Sequence, residues 1–441
     1  MTRQFKGYLL ALTVGLFSVA GLRAQERLNL QQFIDLAVQN SAAVEIASEG
    51  VTGAGLKVRE AKSQYLPQVS LGSSYTRISL VQEFDIPGIG HFKFASPDNY
   101  NFRLGASEQV FTWGRIGKTV ELNRIGQDLA QDGVALAKQS LSYQLVPMFY
   151  GVLFTQEAIK VVDRTLETLK KKVAILEERY SAGLASDFDI SLLKVQIGGL
   201  EGQKLDFQNS IQKIFLAYNR IAGRPLDSVV VLEGDINAEA AKTVAELQAE
   251  SQALLKEALE NRPEARQNTN QQRLVQTQMD LARTANKPNL IAQFNYEVRN
   301  GFLPSVGQLR GNWNAVLAVS YPIFDGHRTS AQVAEAQVAL RTVEEQRADL
   351  EQGFSLEIAQ TLADLKTLEG KLGIELSKIA HAERALTIAD ERYQRGLIST
   401  TDLVDAQDSL DSARLNYLQL RYNYVLGRYT VLRAAGRKIY S

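Results

Sequence analysis

The chain has 441 residues, with 49 basic against 49 acidic side chains, no cysteine and three histidines. Zero net charge offers no electrostatic footprint for nucleic acid or for a polycationic partner. The missing cysteine excludes disulfides, thiolate metal sites, cysteine nucleophiles and a cysteine-borne lipid anchor.

Residues 1–24 read as a secretory signal peptide: Arg3 and Lys6 precede an apolar run from Tyr8 to Ala20, and Ala24 before Gln25 offers a small-residue cleavage site. The run is shorter than the roughly 20 residues of a membrane helix. An uncleaved anchor is the competing reading. No other stretch is expected to be a membrane helix, so an exported chain that spans a membrane would do so with strands.

Helical composition over about 31–63 and 246–285 is closed by Pro67 and Pro288, and the pattern then switches to period two. Val69, Leu71 and Tyr75 alternate with Gln68, Ser70, Gly72, Ser74 and Thr76, and Leu290, Ala292, Phe294, Tyr296 and Val298 with Gln293, Asn295, Glu297 and Arg299. Partner strands are predicted over about 100–111 and 313–323. At about ten residues each, these four have the length of transmembrane β-strands. A soluble sheet with one face on protein gives the same alternation; export and the small polar opposite face favour the membrane. The connections 79–99 and 300–312 carry Gly and Pro and read as exposed loops. Trp113 and Trp313 are expected at strand ends, where girdle residues of a barrel sit.

Helices of about 115–180 and 328–393 follow, each carrying a heptad repeat. Leu145, Val152, Ile159, Leu166, Val173 and Tyr180 recur 213 positions later as Ile358, Leu365, Leu372, Ile379, Leu386 and Tyr393. Pro147 is expected to kink the first of these helices. Each long helix turns at a glycine and returns through a second helix, about 188–222 and 401–435, as an antiparallel coiled-coil hairpin. The chain is therefore a tandem duplication: 25–223 forms one repeat and 246–436 the other. Residues 224–245 link them, either as a short strand or as a belt on the helices, and 437–441 form a short tail.

Four membrane strands leave two unpaired edges, which lipid does not tolerate, so the barrel must close through other copies. Two copies give an interior that side chains fill, whereas three leave a pore. The helices would continue that pore as a tube of about 100 Å.

The doubled element order resembles the TolC-like outer-membrane efflux proteins, across about residues 25–441. The most specific marks are the turns Arg179-Tyr180-Ser181-Ala182-Gly183-Leu184-Ala185-Ser186 and Arg392-Tyr393-Gln394-Arg395-Gly396-Leu397-Ile398-Ser399, with Pro322-Ile323-Phe324-Asp325-Gly326 at a strand-to-helix junction. The resemblance implies a mainly α protomer with membrane β-strands, and a homotrimer with a 12-stranded β-barrel in outer-membrane lipid and a periplasmic α-helical tunnel. It further implies a periplasmic adaptor (membrane fusion protein) and an inner-membrane pump as partners. The expected function is a passive exit duct for small molecules; a type I protein-secretion duct and an exported coiled-coil scaffold are the alternatives.

By the same resemblance, Gly183, Leu184 and Ser186 with Gly396, Leu397 and Ser399 look like adaptor-docking tips. Turn chemistry alone accounts for the glycines and serines but not for the leucines. Asp402 and Asp405 match an acidic pair at the periplasmic mouth, the gate; the plainer reading of Asp402 is a charge at a helix N-terminus. Asp189 is the counterpart of Asp402, Leu192 stands where a second Asp405 would be, and Ile398 replaces an arginine found in some relatives, so a salt-bridge lock is not expected. His91, His327 and His381 are scattered and read as surface or packing residues. No cofactor, metal site or enzymatic activity is expected.

Overall fold

A computed structural model describes residues 26–88, 90–240 and 251–440; the expected signal peptide and part of the expected linker lie outside the described residues. After a short strand β1 (Glu26–Leu28), two helices, α1 (Leu30–Asn40) and α2 (Ala42–Ser63), lead to β2 (Gln68–Arg77). The single helix expected over 31–63 is thus two, because Ser41 leaves the helical conformation and its hydroxyl caps the next helix by accepting from the Ala43 N–H. Pro67 stands directly before β2, four residues past the helix end.

The chain then forms a small hairpin, β3 (Glu83–Ile86) and β4 (Gly90–Lys93), inside what the sequence presents as a loop. It returns through β5 (Asp98–Phe111) into α3 (Arg115–Ser181) and back through α4 (Asp187–Ile221). The linker supplies β6 (Val230–Leu232), paired in parallel with β1, and the short α5 (Ile236–Ala240). In the second half come α6 (Ser251–Asn261), α7 (Pro263–Ala282), β7 (Asn289–Arg299), β8 (Arg310–Ser320), α8 (Arg328–Gln394) and α9 (Thr400–Ala434). Pro263 begins α7 at a position where its missing N–H costs no helical bond. It divides the expected helix 246–285 where Ser41 divides its counterpart.

The long strands form one antiparallel sheet in the order β2-β5-β7-β8, so β2 and β8 are its open edges. Its register sorts the side chains cleanly. Leu71 opposes Leu104, Leu104 opposes Tyr296, and Tyr296 opposes Trp313, with the Ala106–Phe294–Ala315 row one rung away. This apolar face is bare: Leu71 is 82 % exposed and Val319 69 %. The opposite face carries Ser70, Gly105, Asn295 and Asn314 in one rung. Lipid outside and water inside accounts for both faces at once. Trp313 lies three residues into β8, over Phe294 at a ring separation of 6.2 Å, and not at the strand end; Trp113 does sit just beyond β5.

α3 and α8 are each 67 residues long, or about 100 Å. α3 runs on through Pro147. One window of α3 is apolar enough to cross a membrane by length and composition, against expectation, but 56 % of it is buried inside the chain, as in a core helix. Midway along the helices, Phe33 stacks on Tyr218 at 3.7 Å and meets the edge of Phe149, while the Tyr218 hydroxyl donates to the Phe33 carbonyl. Leu145 and Val152 of the heptad seam are buried there. A second core gathers Leu254, Phe354, Ile358, Leu365 and Tyr424. Farther down α8, Leu372, Ile379 and Leu386 stay half-exposed and Ile374 exposed, which leaves an uncovered apolar surface.

Candidate functional site

Both hairpins end at the pole opposite the sheet, and their turns are built alike. At the end of α3 the Leu184 N–H donates to the Arg179 carbonyl (2.8 Å) and the Gly183 N–H to the Tyr180 carbonyl (2.9 Å). At the end of α8 the Leu397 N–H donates to Arg392 (2.9 Å) and the Gly396 N–H to Tyr393 (2.9 Å). This paired pattern satisfies the last helical carbonyls and needs a left-handed residue, which the glycines supply at φ of 74° and 71°. The returning helices are capped by Ser186, which accepts from the Phe188 N–H, and by Ser399, which accepts from the Asp402 N–H.

The leucines give the turns their backbone N–H groups, while their side chains stay in solvent. Leu184 is 78 % exposed and Leu397 68 %. Phe188, one turn on, is also exposed. Beside the tips the two hairpins enclose an open cleft of about 480 Å³, lined from all four helices by residues including Ile175, Leu193, Tyr393 and Leu403. Lys172 of α3 and Asp390 of α8 bridge it with an ion pair of 2.9 Å.

Asp402 and Asp405 differ in their surroundings. Asp402 accepts from both the hydroxyl (2.7 Å) and the backbone N–H (2.9 Å) of Ser399, a reciprocal capping box. Those bonds hold its carboxyl below the usual carboxylate range. Asp405 is exposed. The same spacing of three continues to Asp408 and Asp411, a continuation the sequence reading overlooked although it is visible there. Gln196 of α4 donates to Asp408 at 2.6 Å. Asp411 is buried between helices, accepting from Thr165 of α3 at 2.9 Å and from Gln407 at 3.0 Å, and burial pushes its carboxyl up. The acidic line thus starts as a cap, passes an exposed carboxylate and ends inside the helix packing.

The strand-to-helix junctions repeat as well. Trp113 and Gly114 are consecutive left-handed residues before α3, and Gly326 and His327 before α8. Asp325 caps α8 by accepting from the Thr329 N–H at 3.0 Å, which lowers its carboxyl. His327 therefore has a structural place, edge-on to Phe324. Among the described residues no three histidine, aspartate or glutamate side chains are grouped to hold a metal.

A family model described as outer membrane efflux protein matches residues 33–224 and 254–437, one match per half. The antibiotic efflux pump outer membrane protein ArpC of Pseudomonas putida is 22 % identical over 423 residues, spanning 92 % of this chain and 82 % of that protein. The outer membrane protein TolC of Escherichia coli is 20 % identical over 440 residues, spanning 97 % and 86 %. Among solved structures, CusC superposes with a TM-score of 0.76 at 18 % identity, covering 93 % of this chain and 92 % of that one. VceC of Vibrio cholerae gives 0.71 at 19 %, covering 93 % and 96 %. The chain belongs to the outer membrane efflux protein family, whose members are outer-membrane channels that continue as a helical tunnel into the periplasm.

Proposed function

We propose that the chain is the passive exit duct of a tripartite export system: three copies close the barrel, and a periplasmic adaptor seated on the hairpin tips opens the tunnel. An inner-membrane pump supplies the energy, since the duct needs none of its own. The relatives are named for antibiotic, toluene and cation efflux, which favours small molecules over exported proteins as cargo. Family membership sets the exported-scaffold reading aside.

The observation that carries the docking role is the pair Leu184 and Leu397. Each is a large aliphatic side chain held in solvent at the end of a 67-residue helix, on a turn whose backbone bonds are already satisfied. Gly183, Ser186, Gly396 and Ser399 fix where those leucines stand. The cleft beside the tips, part apolar and crossed by the Lys172–Asp390 ion pair, offers a partner helix a further seat. At the mouth, Asp405 is the stronger gate candidate, since Asp402 is committed to Ser399. Crowded symmetry copies of an exposed carboxylate would attract cations and repel one another.

The test is Leu184→Asp with Leu397→Asp, followed by export from cells and by trimer yield in the outer membrane. Lost export with intact trimers supports the reading; undiminished export overturns it.

A further inference from the structure

The inner face of the sheet is unevenly charged. In the rung nearest the 300–309 connection, Arg299 of β7 stands directly opposite Arg310 of β8. One rung closer to the helices, Arg103 of β5 stands opposite Glu297 of β7. Glu297 reaches Arg299 at 3.1 Å and Arg103 at 3.7 Å, so a single carboxylate stands against these two guanidinium groups. Arg310 extends to the amide oxygen of Gln308 at 3.5 Å. The rungs below are neutral, with Asn, Gln, Ser and Gly. Arg77 lies on the other face and is matched there by Asp98 at 3.1 Å.

Arg299 has structural partners, Glu297 and the Phe302 ring, over which its guanidinium lies at 4.7 Å, but these do not call for a second arginine opposite it at Arg310. Like charges directly opposite each other across a strand pair destabilise a sheet. At the internal separations of 213 and 221 residues, the counterparts of Arg103, Arg299 and Arg310 are Val316, Ile78 and Pro97, the last two just outside β2 and β5, so neither half repeats the other's arginines. An arginine facing another arginine across the strand pair breaks a local rule that these contacts only partly offset, which points to a site kept for function.

We propose that Arg103, Arg299 and Arg310 form an anion-binding collar at the outer end of the barrel lumen, selective for multivalent oxyanions such as phosphate- or carboxylate-bearing solutes. The inference rests on the reading of the chain as a barrel closed by three copies, in which three such sets face one another across the lumen. Guanidinium forks match oxyanions in bidentate geometry, and a water-filled bore with low-dielectric walls concentrates their field. The collar would draw acidic solutes along the bore towards the exit, at the opposite end from the acidic residues near the hairpin tips.

The test uses the full-length protein in planar bilayers with inorganic tripolyphosphate added to each chamber in turn. Tripolyphosphate is expected to block the wild-type current from one chamber, and the block should weaken as KCl rises. In the variant Arg103→Gln, Arg299→Gln, Arg310→Gln the half-blocking concentration is expected to rise at least about tenfold, the loss of several charge-assisted bonds, while conductance steps persist. Arg310→Gln alone, which removes the guanidinium not shared with Glu297, should shift it in the same direction and guards against a triple variant that fails to insert. Equal block of wild type and variants, or no block of a conducting wild type, overturns the collar and leaves the duct standing. A wild type that fails to assemble into a membrane-inserted trimer counts instead against the duct reading.

Discussion

The Thr165 hydroxyl donates to the Asp411 carboxylate at 2.9 Å across 246 positions of sequence, tying the outgoing helix of the first hairpin to the returning helix of the second. Burial raises the Asp411 carboxyl above its ordinary range. A carboxyl raised in the folded state binds its proton more tightly there than in the unfolded chain, so its contribution is fullest below the unfolded value and is lost as pH rises through the folded one. Asp411→Asn keeps an acceptor for Thr165, and Gln407 can rotate its amide to serve the new NH2 group. The variant is expected to melt higher than wild type at pH 7, with the gap closing near pH 4. A constant gap across that range would mean that Asp411 is not titrating in the packing.

Gly183 and Gly396 adopt left-handed backbones with open space around them, so alanine there meets strain and no clash. Each Gly→Ala change should cost about 1 kcal/mol locally. Limited proteolysis at the tips should accelerate roughly fivefold per variant while the global melting point barely moves. An unchanged cleavage rate would contradict the turn geometry.

Gly436 makes the harder case. A Cβ there would lie 2.8 Å from Arg262 Cγ and 3.1 Å from its backbone nitrogen, whereas at the duplicated Gly223 it would lie 3.2 Å from the Asn40 carbonyl. Gly436→Ala should therefore destabilise more than Gly223→Ala, by about 1–3 kcal/mol in total. Denaturant unfolding of the two variants checks the order.

At the mouth, Asp405→Asn should lower cation selectivity in bilayer recordings more than Asp402→Asn, because Asp402 is bonded to Ser399 and mainly stabilises α9. Asp402 remains ionised through mild acid, being lowered by those bonds, so its cap is present above the ordinary carboxylate range and lost only below it. If both replacements leave conductance and selectivity unchanged, the gate assignment fails.

The long helices, the turns and the two-faced strands were legible because each rests on a period or a local signal: heptads, a glycine before a capping serine, alternation over ten residues. The β3–β4 hairpin was not, since its strands are four residues each and too short to show a period. The breaks at Ser41 and Pro263 hid within otherwise helical composition. In the candidate site, the resemblance marked Asp402 and Asp405 as a pair, with a helix N-terminal charge already the plainer reading of Asp402; the reciprocal capping box with Ser399 is what the folded turn adds. Asp411 went unmarked because its partner Thr165 is brought to it only by the packing of the two hairpins.

The measurement closest to the central claim is in-cell crosslinking from a photoreactive residue at Ala182 or Arg395, both exposed beside the tips, with the product identified by mass spectrometry. Capture of a periplasmic adaptor at both positions is the predicted result. Crosslinks confined to further copies of this chain, or none at all in exporting cells, would contradict it.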